Sequence, residues 1–429
     1  MVVRSPLELR ERKGTMKGLP STVLRDVIQL LSGTAIGRLI LLAAMPLVTR
    51  LYSPKDFELL AVYAALVGTV AVVACLRFEI AIPLAENDDD AIHLLALSLM
   101  SVAGVVALIF LLTLTLPQQI AELVGSPGTG AYMWLIALGV AMTASYSALQ
   151  FWAARNRRFG AIARTRVGQA TTGAVTMLGF GWLGLAPMGL LLGNMFSLGG
   201  GGLSLAAQVM RWDRAALRVL TRRGLAATLG KYRRYPIFST PEALANVAGI
   251  QVPILMIAAM AEAEAGQLFL AMQIMAAPMT LLGASVGQVY ASRAQEELRN
   301  GTLYRFTLSM MRRLFLICLV PMAAAALLAP QFFPVVFGAE WARAGVIVTW
   351  IAPWMLLQLT VSPVSMGLHV TGNQRIAMSL HVFGLALRVG SVGAAALIPG
   401  IGAVEGYATS GALFYGLCAI IVLGAIRKT

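Results

Sequence analysis

Long apolar segments recur along the whole chain, and short polar segments separate them. A helix that spans a membrane needs about 20 consecutive, mostly apolar residues. Twelve segments approach that length: 27–49, 58–76, 91–115, 132–151, 167–185, 188–209, 236–260, 266–290, 314–334, 345–367, 376–397 and 406–426. The pattern therefore predicts an all-α integral membrane protein with about twelve transmembrane helices.

The composition supports this prediction, and the distribution of charge argues against a nucleic-acid partner. Hydrophobic residues make up 58% of the chain and charged residues 12%, whereas soluble domains are about 25% charged. The net charge of +14 would by itself suggest nucleic acid. The basic residues, however, are spread over short loops between apolar segments, so no nucleic-acid partner is expected.

The basic residues also predict the orientation of the chain in the membrane. They concentrate in 155–166, 211–234 and 293–313, while the alternate loops carry only Arg50, Lys55 and Arg343. Positively charged loops stay in the cytoplasm. Together with an even number of helices, this bias predicts that both termini are cytoplasmic. The basic segment 1–26 precedes an apolar stretch long enough to be a retained first helix rather than a signal peptide.

Segment 210–235 divides the predicted helices into two groups of six. The expected organisation is a cytoplasmic N-terminus 1–26, a bundle 27–209, the basic linker 210–235, a bundle 236–426 and a tail 427–429. Two bundles of equal orientation predict a pseudo-twofold arrangement around a central cavity, with alternating access. Leu217, Leu220 and Leu225 fit either an amphipathic helix on the leaflet surface or a plain linker.

Two arginines lie in the middle of predicted spans and are the main candidate substrate-binding residues. Arg38 and Arg388 are surrounded by apolar sequence, and a charge at that depth is costly unless it faces protein or water. A guanidinium can hold phosphate oxygens, although a structural pair with a carboxylate is the alternative. Asn246, Gln251 and Gln273 could line the same cavity as neutral donors and acceptors, or join helices.

Three further charged residues lie near the ends of predicted spans. Arg77 and Glu79 follow the second span, where they could form a gate or an interfacial ion pair. Glu242 follows Pro241 at the start of the seventh span, where it could couple transport to an ion or stabilise a helix N-terminus. The sequence has no phosphate loop, zinc-ligand spacing or catalytic triad, so we predict no catalytic residues, no metal and no cofactor.

Several stretches carry a resemblance to a known family. They are Arg50-Leu51-Tyr52-Ser53-Pro54-Lys55-Asp56-Phe57, Leu76-Arg77-Phe78-Glu79-Ile80-Ala81-Ile82-Pro83-Leu84, Lys231-Tyr232-Arg233-Arg234-Tyr235-Pro236-Ile237-Phe238-Ser239 and Phe337-Gly338-Ala339-Glu340-Trp341-Ala342-Arg343-Ala344-Gly345. In this order the sequence is similar to the polysaccharide transporter, or oligosaccharide flippase, family of the multidrug/oligosaccharidyl-lipid/polysaccharide exporter superfamily. Glu58 departs from the usual glycine, which puts a local turn in doubt, and Glu242 departs from the expected small or polar residue.

The resemblance implies movement of an undecaprenyl-diphosphate-linked oligosaccharide between leaflets, for lipopolysaccharide or exopolysaccharide synthesis. The implied partners are that lipid-linked substrate, membrane lipids, and polymerase and export proteins of the same pathway. A drug or cation exporter of the same superfamily is the first alternative, but the mid-span charges are cationic. A membrane-embedded polymerase or glycosyltransferase is the second, and it would need a larger outer loop than this chain has.

Overall fold

The computed structural model describes residues 21–123, 127–261, 263–279, 283–371, 373–395, 397 and 402–427. These residues form helices, turns and short connections, and no β-strand occurs among them. The N-terminal half contains α1 (Ser21–Leu51), α2 (Pro54–Ala74), α3 (Asp88–Thr115), α4 (Pro117–Leu123), α5 (Trp134–Arg155), α6 (Phe159–Trp182), α7 (Met188–Gly199) and α8 (Gly202–Trp212).

Two short helices connect the halves, α9 (Arg214–Leu217) and α10 (Arg222–Lys231). The C-terminal half contains α11 (Thr240–Met260), α12 (Glu264–Pro278), α13 (Ala284–Arg299), α14 (Leu303–Phe337), α15 (Ala342–Val361), α16 (Gly367–Val370), α17 (Gln374–Ala395) and α18 (Ala403–Arg427). The predicted twelve spans coincide with these helices or with consecutive pairs of them. Residues 1–20 of the predicted N-terminal segment 1–26, and residues 428–429 of the predicted tail 427–429, lie outside the described residues.

The outer surface of the bundle is apolar, as a membrane requires. Side chains such as Leu108, Val320, Leu327 and Ile420 are more than half exposed. Ten helical segments among the described residues are long and apolar enough to cross a membrane. The predicted spans 167–185 and 266–290 are not among them. Helix α6 contains Arg164, Arg166 and several other polar residues, and residues 280–282 of the second segment lie outside the described part of the chain.

Each half repeats the same pattern of helix packing. In the N-terminal half α1 packs on α6, α6 on α7, α3 on α5 and α2 on α5. The corresponding helices of the C-terminal half form the equivalent pairs: α11 with α17, α17 with α18, α14 with α15 and α12 with α15. The same order of contacts in two halves is what a repeat about an axis along the membrane normal produces.

The linker packs against the N-terminal half. Leu217, Leu220 and Leu225 are partly buried against the main hydrophobic core, so part of their apolar surface contacts protein. Asp213 accepts hydrogen bonds from Arg158 at 2.6 and 2.7 Å and from Trp152 at 2.9 Å. Burial alone would raise the pKa of Asp213, but these donors outweigh it and lower the pKa below its usual value.

A second group of ions fixes the end of α10. Lys231 contacts Glu86 at 2.8 Å and Asp90 at 2.7 Å, and hydrogen bonds to these carboxylates raise the pKa of the lysine. Asp90 belongs to the first turn of α3, where negative charge is favourable. Two independent ionic contacts therefore tie the connection between the halves to the N-terminal half.

Candidate functional site

The loops form two chemically different faces at the two ends of the helices. We call the end with segments 75–87, 156–158, 213–239 and 300–302 the basic face, and the end with segments 127–133, 183–187 and 338–341 the opposite face. Between them, α2 of the N-terminal half packs against α11 and α12 of the C-terminal half. The seam between the halves therefore runs along α2.

At the opposite face, polar contacts join the two halves. The Glu58 carboxylate, only 9% exposed, accepts the backbone N–H of Ala263 at 2.6 Å. The Trp341 indole donates to the Thr49 carbonyl at 3.1 Å, and Trp341 packs edge-on to Phe57. Ala263 has a positive φ of 64°, an uncommon conformation for alanine. The opposite face is therefore closed in this structure.

The structure also shows what Glu58, which stands where the family usually has glycine, does to the local backbone. The residue does not disturb a turn, because α2 begins regularly with a capping box formed by Ser53 and Asp56. Instead its side chain reaches across the seam to the other half. The unusual glutamate at position 58 was the sequence signal for this contact, but the sequence alone does not identify Ala263 as its partner.

Arg38 lies at the seam between the halves. Its guanidinium donates to the backbone carbonyl of Gln273 at 3.0 Å and to the side-chain oxygen of the same residue at 3.4 Å. The side chain is partly buried, and its Nε has no hydrogen-bond partner among the described residues. Within those residues no carboxylate pairs with it. The structure thus brings together two predicted residues, Arg38 and Gln273.

Gln251 faces the same seam from α11. Its side-chain nitrogen lies 3.1 Å from the position that a Cβ on Gly68 of α2 would occupy. Any larger residue at Gly68 would therefore press on this amide. Arg38, Gln251 and Gln273 place three hydrogen-bonding side chains along one interface, where a change in the angle between the halves would alter their neighbours.

Arg388 has a different location, inside the C-terminal half. It lines a cavity of about 140 Å³ enclosed by α11, α15, α17 and α18. The cavity also contains the predicted residue Asn246, together with Ser362 and Ser365. Arg38 is not among its lining residues. The two arginines predicted to act together therefore occupy separate sites, one at the seam and one behind α11.

Aromatic rings surround the Arg388 guanidinium. Its central carbon lies 5.1 Å from the ring centroid of Phe414, 5.5 Å from Trp354 and 6.0 Å from Tyr415. The residue is 7% exposed. A guanidinium held by aromatic faces keeps the N–H donors in its own plane available for hydrogen bonds.

The hydrogen bonding of Arg388 is incomplete in the described part of the chain. One long bond of 3.4 Å reaches the Gly249 carbonyl, and the Tyr415 side chain also interacts with the guanidinium. The Nε atom has no partner in that part of the chain. No carboxylate within salt-bridge distance is found for it among those residues. A buried donor without an acceptor is costly, so this group is chemically suited to an anionic ligand that enters the cavity.

Arg77 and Glu79 form an ion pair at the basic face. Their side chains meet at 3.3 Å, and the glutamate side chain is 4% exposed. Burial raises the pKa of Glu79, and the nearby Arg77 only partly opposes this. Leu76 and Arg77 both have positive φ angles, so this turn after α2 has an unusual backbone. The geometry is that of an interfacial pair, and a gate role stays a prediction.

Glu242 is exposed in the first turn of α11, directly after Pro241. A carboxylate at a helix N-terminus is stabilised by the helix dipole. This position accounts for the residue without a ligand, and its role in coupling stays a prediction.

An ionic cluster that the sequence did not suggest lies at the opposite face. Arg343 contacts Glu264 at 2.9 Å and Glu405 at 2.7 Å. These residues come from α15, α12 and α18, which are far apart in sequence. Because the cluster joins three helices of one half, it can keep that half rigid while the halves move relative to each other.

Comparisons with known proteins agree on the family and the fold. The family model described as "Polysaccharide biosynthesis protein" matches residues 47–345. Among curated proteins, no sequence matches this chain significantly.

Three solved structures illustrate the fold. The lipid II flippase MurJ in an inward closed conformation has a TM-score of 0.66 at 13% identity, covering 94% of this chain and 90% of that one. The MATE multidrug transporter DinF-BH, in a complex with a ligand, has a TM-score of 0.64 at 12% identity, covering 96% and 98%. A variant of the Vibrio cholerae MATE transporter VcmN has a TM-score of 0.51 at 14% identity, covering 95% and 97%. This likeness confirms the predicted all-α membrane fold.

Proposed function

The chain belongs to the family of polysaccharide biosynthesis proteins, and from this premise we propose that it is a flippase for an undecaprenyl-diphosphate-linked oligosaccharide in the bacterial inner membrane. The substrate would be loaded from the basic face, which the positive-inside rule assigns to the cytoplasm. The oligosaccharide would then serve the synthesis of a surface polysaccharide, together with polymerase and export proteins of the same pathway.

The observation that carries the proposal is the state of Arg388. A guanidinium at this depth, held by three aromatic rings and left with an unpartnered Nε among the described residues, is suited to a diphosphate. Asn246, Ser362 and Ser365 in the same cavity supply neutral groups that could bind hydroxyls next to it. The lipid tail would remain in the hydrocarbon, because only the polar head needs a protected path.

The closed opposite face supports transport by alternating access. The bonds of Glu58 to Ala263 and of Trp341 to Thr49 hold the halves together at the opposite face. After loading from the basic face, release of these contacts would open the seam toward the other leaflet. A substrate that passes from the Arg388 cavity to the open seam would then be exposed there. The likeness to MurJ, a lipid II flippase, is consistent with this sequence of events.

A drug or cation exporter is the alternative that the MATE-like fold suggests. DinF-BH, which shares this fold, is a multidrug transporter. A cation carrier needs a carboxylate in its cavity, and the described residues around Arg388 include none. The charge of the cavity therefore favours an anionic headgroup.

The test is translocation in proteoliposomes. Purified protein is reconstituted with a fluorescent undecaprenyl-diphosphate oligosaccharide, and the exposed fraction is measured with a membrane-impermeant quencher, with and without an imposed potential. We expect protein-dependent translocation of this lipid and no uptake of ethidium, a cationic drug. Uptake of ethidium together with a translocation rate equal to that of protein-free vesicles would overturn the proposal.

A further inference from the structure

A second cavity, unrelated to the Arg388 cavity, opens between α13 and α14. Its volume is about 620 Å³, and none of its lining residues lines the Arg388 cavity. It is lined by Val286, Val289, Arg293, Glu297, Thr302, Arg305, Phe306, Ser309, Met310, Arg313, Leu314 and Ile317. We call it the α13–α14 cleft. None of the predicted substrate-binding residues lines this cleft, so it has no proposed function so far.

The charge of the cleft is strongly positive. Arg293, Arg305 and Arg313 line it and are exposed, and none has a salt bridge to another described residue. Among the described lining residues, the one carboxylate is Glu297, which accepts a hydrogen bond from the hydroxyl of Thr302 at 2.5 Å. Three guanidinium groups thus share one space with a single carboxylate that already has a partner.

The start of α14 adds to this positive potential. Thr302 is the residue before α14, but its hydroxyl turns back to Glu297 and does not cap the helix. The first backbone N–H groups of a helix attract anions. The cleft therefore combines three arginine side chains with an uncapped helix N-terminus.

The cleft is polar at one end and apolar at the other. The residues nearest the basic face are Glu297, Thr302 and Arg305. Deeper along both helices the lining changes to apolar side chains, which are Val286, Val289, Leu314 and Ile317. Such a gradient matches a molecule with an anionic head and a hydrocarbon chain. It does not match a free inorganic anion, which would gain nothing from the apolar end.

Helix length places the polar end of the cleft at the membrane surface. Helix α14 has 35 residues and is therefore about 52 Å long at 1.5 Å per residue, while the hydrocarbon core is about 30 Å thick. If the apolar part from Leu314 onward fills that core, Arg305 and Arg313 lie at the level of lipid headgroups. Arg305, Ser309 and Arg313 follow each other at intervals of four residues on α14, so their side chains point to the same side of the helix.

We propose that the α13–α14 cleft binds an anionic phospholipid of the leaflet at the basic face, with the lipid phosphate held by Arg293, Arg305 and Arg313 and an acyl chain lying along Val289 and Ile317. This lipid is a bound component of the protein and is not the transported substrate. It would fill the space between α13 and α14.

The chain offers a matched control for the test. Arg312 is exposed on α14 next to Arg313 but does not line the cleft. The variant R305Q/R313Q removes two of the three cleft cations, and R312Q removes one neighbouring charge outside the cleft. Gel filtration and thermal unfolding establish that each variant is folded before binding is measured.

The measurement is native mass spectrometry of delipidated protein incubated with phosphatidylglycerol or with phosphatidylcholine. The wild-type protein and R312Q are expected to retain phosphatidylglycerol about ten times better than phosphatidylcholine, as charge-assisted bonds of this kind predict. The double variant is expected to lose this preference to within about twofold. Millimolar inorganic phosphate should not displace the lipid.

Three results would overturn the proposal. The first is equal retention of phosphatidylglycerol by R305Q/R313Q and the wild-type protein. The second is an equal loss in R312Q, which would indicate general attraction to a basic surface. The third is displacement of phosphatidylglycerol by undecaprenyl diphosphate together with lost translocation in the double variant, which would assign the cleft to the transported lipid.

Discussion

The two halves of the molecule share one packing plan but use arginine differently. Tyr146 of α5 and Trp354 of α15 each stand twelve residues after the first residue of their helix, and each lies beneath a guanidinium from the helix that follows in the repeat. Arg166 lies 5.4 Å from the Tyr146 ring, and Arg388 lies 5.5 Å from the Trp354 ring. An arginine–aromatic contact thus occurs at the equivalent place in both halves.

The depth and the hydrogen bonding of the two arginines differ. Arg166 is seven residues into α6 and donates to Gln150 at 2.8 Å. Arg388 is fourteen residues into α17, which is about two turns deeper, and its Nε has no partner among the described residues. An arginine with a structural role donates hydrogen bonds to other protein groups. An arginine that binds a ligand has donor atoms without an acceptor in the protein. From this comparison we propose a structural role for Arg166 and a ligand-binding role for Arg388.

Replacing each arginine in turn with a neutral residue tests this comparison most directly. Arg388→Gln is expected to reduce translocation of the lipid-linked oligosaccharide roughly 10- to 100-fold, because a charge-assisted bond contributes about 1.5–3 kcal/mol. Arg166→Gln should leave the rate within about threefold and lower thermal stability instead. Both are measured in the proteoliposome assay, after gel filtration. Equal loss of translocation in the two variants would remove the distinction between the halves.

The seam provides the second prediction. Arg38→Ala is expected to slow translocation about tenfold, while Arg38→Lys should retain more than about a third of the rate, since a point charge remains. Gln273→Ala is the comparison variant, because it removes only the longer contact of Arg38 and leaves the shorter one to the backbone carbonyl of residue 273. An unchanged rate in Arg38→Ala would show that this arginine has no part in transport.

The third prediction concerns the closed opposite face. Glu58→Ala leaves the Ala263 N–H without this acceptor, which should shift the equilibrium between conformations by about 1–2 kcal/mol, or roughly 5- to 30-fold. Spin labels at positions 128 and 346, in a background without the native cysteines, report the distance between the halves near that face. Longer distances are expected for Glu58→Ala.

Glu340→Gln is the matched control for this distance measurement. Glu340 lies at the same face, but it is its backbone carbonyl that accepts a bond, from Gln267. A distance distribution for Glu58→Ala that matches both the wild-type protein and Glu340→Gln would contradict the role of Glu58 in closure.

The smallest effect is expected at the linker. Asp213→Asn weakens the contacts to Arg158 and Trp152 and should lower the free energy of unfolding by about 1 kcal/mol. Translocation should remain within about twofold, because the linker packs on one half only. Thermal unfolding in detergent and the proteoliposome assay test the two parts. A stronger effect on transport than on stability would place the linker in the mechanism.

The fold was largely predictable from apolar periodicity, and the site only in part. Every predicted span coincides with a helix or a helix pair, since burial in lipid requires long apolar segments. The position of Arg38 and Arg388 in the middle of their spans could also be predicted, because a charged residue within a long apolar segment is unusual. What surrounds them was not, since the rings of Trp354 and Phe414 come from other helices and their approach depends on tertiary packing.

Long-range pairing explains the remaining differences. The sequence suggested one shared cavity for both arginines, but α11 separates the seam from the Arg388 cavity. The Glu58 contact to Ala263 joins residues 205 positions apart. Neither follows from local periodicity, because the angle between the halves decides which helices meet.

The central claim is that Arg388 receives the diphosphate of the transported lipid. The most direct measurement is an electron cryo-microscopy map of the protein in nanodiscs with undecaprenyl diphosphate. Diphosphate density about 3 Å from the Arg388 guanidinium, and its absence in Arg388→Gln, is the predicted result. Density held only at the seam or in the α13–α14 cleft, and unchanged in the variant, would contradict the account.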